Sequence, residues 1–136
     1  METVEVRSQI EVTLLTAQVP MTVMAALEYR ASDPYAVSVV FFAEPEPVRW
    51  LFSRDLLDEG LVHEVGDGDV EVAPSVNEFS DPVVQLRLLS PHGIAIVETR
   101  AEAILDFLAS SYGLVPPGTE SNYLNIDCAL DQLLTH

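Results

Sequence analysis

Lysine is absent from the 136-residue chain, and six arginines face 22 acidic residues, for a formal net charge of -16. Nucleic acids and anionic bilayers bind where protein cations displace counterions from phosphates, so a surface this negative repels both at long range. Cysteine is nearly as scarce. Cys128 stands alone, which excludes an internal disulfide and suits a reducing compartment. Long apolar runs are also missing: charges or prolines break every hydrophobic stretch short of the roughly 20 residues that a bilayer span needs. The opening Met1-Glu2-Thr3-Val4-Glu5-Val6-Arg7 has neither the basic start nor the apolar run of a signal peptide, so the expected location is the cytoplasm.

What is present is enough apolar side chain, 49% of the residues, to build one domain with its own core over residues 1–136. Alternation dominates the first half. Val4, Val6, Val12 and Leu14 mark a strand with a bend or bulge expected at Ser8-Gln9, and Val23, Ala25, Leu27 and Tyr29 share one face of a second, over residues 21–30. After a turn at Ser32-Asp33-Pro34, residues 35–42 are apolar on both faces and read as a central strand. Pro45 and Pro47 force a connection, and Val48, Trp50 and Phe52 alternate beyond it with Arg49 on the opposite face.

Ser53 is placed to cap a short helix over residues 54–59, and Gly60 to end it in the left-handed conformation. Further strands are expected over residues 61–65, 69–73, 83–89 and 94–99. Gly66-Asp67-Gly68, the stretch from Pro74 to Pro82, and Ser90-Pro91-His92-Gly93 separate them. The period then becomes helical, with Ala101, Ile104, Leu105 and Leu108 on one stripe and Gly113 as the stop. Asp127 is expected to cap a last short helix carrying Leu130, Leu133 and Leu134. The plan is α+β: two antiparallel sheets of about four strands each, a short helix between the halves and helices at the C-terminal end.

The patterns that could carry chemistry are incomplete. Asp67, Asp69, Glu71 and Glu78 are spaced like calcium ligands, but Val72 stands where that loop needs glycine and the flanks read as strands, so the region reads as an acidic hairpin turn. Gly66-x-Gly68 lacks the third glycine and the helix that would cradle a phosphate. His63, His92 and His136 have no zinc spacing. Ser53, Ser90 and Ser110 sit in cap, turn and helix-end contexts, and Cys128 in a first helical turn reads as a packed thiol. No catalytic residue, metal or cofactor is expected.

Several stretches together resemble one known family. They are Asp33-Pro34-Tyr35-Ala36-Val37, the run Trp50-Leu51-Phe52-Ser53-Arg54-Asp55-Leu56-Leu57-Asp58-Glu59-Gly60-Leu61, the turn Gly66-Asp67-Gly68-Asp69-Val70-Glu71-Val72-Ala73-Pro74, Ser90-Pro91-His92-Gly93 and Val115-Pro116-Pro117-Gly118-Thr119-Glu120. In this order they are similar to the SsgA-like sporulation and cell-division proteins of actinobacteria, over residues 27–134. The resemblance implies a Whirly-like domain with two four-stranded sheets and a bell-shaped homotrimer. It also implies a non-catalytic adaptor role at the division septum, with the tubulin-like protein FtsZ among the partners. The Whirly likeness would also suggest a single-stranded nucleic-acid binder, which the charge disfavours.

Candidate contact residues cluster around the second of these stretches. Tyr35 and Trp50 are large aromatics able to anchor a partner or subunit interface, although their alternation with other apolar residues favours the core. Arg49 and Arg54, in so acidic a chain, are each expected to pair with a carboxylate, and such pairs can fix a subunit contact.

Overall fold

The computed structural model describes residues 4–124. Its elements are β1 (Glu5–Leu14), β2 (Met21–Arg30), β3 (Asp33–Phe41), β4 (Val48–Ser53), α1 (Arg54–Glu59), β5 (Val65–Asp67), β6 (Val70–Val76), β7 (Pro82–Ser90), β8 (Gly93–Arg100) and α2 (Ala101–Leu114). Residues 120–124 are helical. The expected cap Asp127, its leucine stripe and Cys128 lie outside the described residues.

The strands form one eight-stranded antiparallel sheet in the order β4-β3-β2-β1-β8-β7-β6-β5. This overturns the expected pair of four-stranded sheets in a Whirly-like arrangement. Alternation tells which face of a strand is buried but not which strand lies beside it. Here β1 uses its second edge to pair Thr13 with Glu98 and Leu14 with Val97 of β8, so the two halves become one sheet. Its inner residues, among them Val12, Leu27, Val39, Leu86 and Val97, share a single core. The sheet wraps that core nearly into a barrel, and α1 contacts both edge strands, β4 and β5.

Helix α2 packs across the inner side against β1, β7 and β8. Its buried stripe is Ile104, Phe107, Leu108 and Ser111, so the stripe turns away from Leu105, which is exposed. Gly113 lies inside the helix rather than ending it.

Other local expectations shift for identifiable reasons. β1 pairs with β2 in unbroken register from Glu5 to Leu14, with no bulge at Ser8-Gln9; the irregularity falls instead between Tyr29 and Arg30. Residues 61–64 are turn and loop after α1. Pro74 sits within β6, tolerated because β5 pairs only with the segment from Val70 to Val72 and leaves that side of β6 free beyond it. Gly60 is right-handed at φ -66°, not left-handed. Glycine is needed there because any Cβ would collide with the Val72 side chain.

Candidate functional site

Ser53 leaves β4 with extended geometry, and its Oγ accepts the Leu56 N–H at 2.9 Å, the expected N-cap. The cap turns the chain so that the next side chain, Arg54, enters the protein, where it is 1% exposed. Its Nη1 donates to the carbonyls of Val115 at 2.8 Å and Ser111 at 3.2 Å, and its Nη2 to Glu120 Oε1 at 2.8 Å. The guanidinium carbon lies over the rings of both Tyr29 and Tyr112, 4.6 and 4.7 Å from their centroids. A buried cation is tolerated when it is matched in this way by carbonyl acceptors, a carboxylate and aromatic faces. One side chain thereby joins β2, α1, the end of α2 and the linker that follows.

The linker closes on the same carboxylate. Gly118, at φ 87°, points its N–H to both Glu120 oxygens, at 3.2 and 3.0 Å. Glu120 is held below the usual carboxylate range, first by a hydrogen bond from its own backbone N–H; burial opposes this, and the Arg54 and Gly118 bonds reinforce it. Burial pushes the Tyr29 and Tyr112 hydroxyls up to about 12 despite the nearby guanidinium, with Asp58 contributing for Tyr112. Tyr29 Oη donates to the Pro34 carbonyl at 2.9 Å.

On the outer face, Arg49 Nη1 donates to Glu28 Oε1 at 2.8 Å and to Ser38 Oγ at 3.1 Å, and Arg7 Nε lies 3.2 Å from Glu28 Oε2. Glu28 is thus shared by two arginines across β1, β2 and β4. Leu51, beside this group on edge strand β4, is 64% exposed. Trp50 points the other way and is half-buried against the core. Tyr35 is exposed: between the Arg30–Asp33 and Tyr29–Val37 pairs the strands slip, which buries Pro34 and turns Tyr35 outward.

The four singled-out residues therefore do not form one patch. Both arginines pair with carboxylates, as expected, but Arg54 is internal while Arg49 is on the surface. Sequence reasoning did not single out Glu28 or Ser111, and it assigned neither Tyr112 nor Glu120 to Arg54. The one available signal was Tyr29, a hydroxyl at the end of an otherwise apolar face that had to find a buried acceptor. Asp67, Asp69 and Glu71 lie in and beside the β5–β6 turn. No cluster of histidine, cysteine, aspartate or glutamate suited to a metal occurs among the described residues. No helix among them is long and apolar enough to cross a membrane.

Comparison with known proteins gives a consistent result. The family model described as Streptomyces sporulation and cell division protein, SsgA, matches residues 23–120. The sporulation-specific cell division protein SsgB of Saccharopolyspora erythraea is 42% identical over 98% of this chain and 94% of its own length. SsgB of Streptomyces coelicolor is 40% identical over 89% of this chain and 88% of its own. A crystal structure of an SsgA-like sporulation-specific cell division protein from Thermobifida fusca superposes with a TM-score of 0.88 at 33% identity, covering 97% of this chain and 98% of that one.

Proposed function

We propose, because this chain belongs to the SsgA family of sporulation and cell division proteins, that it is a non-catalytic adaptor in sporulation-specific division, localising or stabilising the division machinery at the septum. The observation that carries this reading is the end-to-end similarity to proteins named for sporulation-specific cell division. FtsZ is the partner the reading favours, met in the cytoplasm and followed to the septum, with no cofactor and no nucleic acid involved. The acting unit is a homotrimer. A trimer that meets a filament gains from multivalency, since each weak contact raises the effective concentration for the next. Tyr35 and Arg49 supply surface contacts in this reading, with Trp50 behind them and Arg54 holding the element that presents them.

Sedimentation of the purified protein, alone and with polymerising FtsZ from a related actinobacterium, tests the proposal. A trimer that pellets with the filaments supports it. A trimer that stays in the supernatant removes FtsZ as the direct partner, and a monomer that stays there removes the multivalent mechanism. A salt-sensitive shift of single-stranded DNA would favour the nucleic-acid reading instead.

A further inference from the structure

The seam between the halves of the sheet is short. Beyond Thr13 and Leu14, towards Gln9, β1 has ladder partners only on its β2 side, and the Thr99 hydroxyl reaches across to donate to the Glu11 carbonyl at 2.9 Å. A groove of about 520 Å³ opens at this parting, lined among others by Glu11, Thr13, Phe79, Asp81, Glu98 and Arg100. An adjoining depression of about 410 Å³ shares Thr13, Phe79 and Glu98 and extends to Leu15 and Pro20.

Two features of the lining ask for an occupant. Phe79 is 76% exposed, in a loop whose shape is set by Asn77 Oδ1 accepting the N–H groups of Phe79 at 2.9 Å and Asp81 at 3.0 Å. An aromatic ring held in water beside a groove is typical of an anchor for another chain. The second feature is charge. Asp81 is paired with Arg100 at 3.4 Å, whereas Glu11 and Glu98 have no arginine within ion-pair distance among the described residues.

Among the described residues the chain has no arginine left over for these two carboxylates. It has no lysine, and each of its six arginines already pairs with a carboxylate elsewhere: Arg7 and Arg49 with Glu28, Arg30 with Glu5, Arg54 with Glu120, Arg87 with Glu71, and Arg100 with Asp81. Residues 1–3 and 125–136 likewise contain no arginine or lysine. We infer that this groove docks an extended, basic segment of a partner protein, with arginine or lysine side chains meeting Glu11 and Glu98 and an apolar or cationic side chain covering Phe79. The groove shares no lining residue with the depression beside Arg49, and the inference does not depend on the identity of the partner proposed above.

The test uses a fluorescein-labelled peptide of alternating arginine and leucine, and its counterpart with glutamate for arginine, titrated with the full chain at about 0.15 M salt. Binding of the basic peptide alone is expected. The double variant Glu11→Gln/Glu98→Gln should weaken it about tenfold, the scale of two lost surface ion pairs. Phe79→Ala should weaken it about fivefold and, being an exposed site, leave the thermal melt in place. Glu44→Gln/Glu46→Gln, which removes the same charge outside the groove, should change it less than about twofold. Equal losses in the two double variants would mean diffuse attraction to an acidic surface and would overturn the inference, as would failure of the basic peptide to bind.

Discussion

Arg54 and Glu120 are 66 residues apart in the sequence and 2.8 Å apart in space, and the bond between them ties the start of α1 to the linker beyond α2. Removing one partner leaves the other buried without its counter-charge. Glu120→Ala is expected to destabilise the fold by about 3 kcal/mol, the lower end for breaking a buried pair, since Arg54 keeps its carbonyl acceptors and its two aromatic neighbours. Urea denaturation monitored by far-ultraviolet circular dichroism measures it. A cost as small as that of an exposed pair would mean that the linker is not held by this contact.

The same carboxylate sets an acid limit. Its folded pKa lies below the ordinary value of 4.5, so the folded state binds fewer protons than the unfolded state as pH falls through that range. Its contribution is present in full above the unfolded value and is lost as pH drops through the folded one. The melting temperature should therefore fall on acidification below about pH 4.5, and Glu120→Gln should flatten that limb. An unchanged limb in the variant would assign the acid sensitivity to other carboxylates.

At the alkaline end the sign reverses. Tyr29 and Tyr112 ionise near 10 when unfolded and are pushed up to about 12 when folded. Stability is thus whole below pH 10 and declines as pH climbs towards 12, where the unfolded chain releases protons that the folded chain retains. Ultraviolet difference titration should find two of the tyrosines ionising late. Tyr112→Phe should remove one of them and reduce the alkaline decline.

Gly60 tests packing rather than charge. Its right-handed backbone would accept any residue, so the cost of Gly60→Ala is steric, set by the Val72 side chain in the adjoining strand. A loss of about 2 kcal/mol is expected, with partial recovery when Val72→Ala is added. Additive losses in the double variant would show that the two side chains do not compete for the same space.

Local structure was the legible part of this sequence. Ser53 announces α1 because a hydroxyl before a helical run has one obvious use, and the alternation in residues 21–30 marks β2 because only a strand puts Ala25, Leu27 and Tyr29 together. Relations between distant segments were not legible. Nothing in Thr13 or Glu98 indicates that they are neighbours, so the halves read as separate sheets. The depth of Arg54 follows from Tyr112, Ser111 and Glu120, residues too remote in sequence to be assigned to it. Tyr35 was misjudged as possible core for a smaller reason: strict alternation carries it inward, and only the slip after Tyr29 turns it out.

Every ladder in the sheet except the seam joins strands that follow one another along the chain. β1 to β4 and β5 to β8 are thus two meanders that close through short loops, on the microsecond scale of single hairpins. The seam is different, because it brings Thr99 to Glu11 across 88 positions and must pay the chain entropy of that long closure before its few pairs repay it. Joining the meanders therefore carries the largest chain-entropy cost of any pairing in the sheet. Because both meanders bury their inner faces in one core, parting the seam would expose that core in both halves at once.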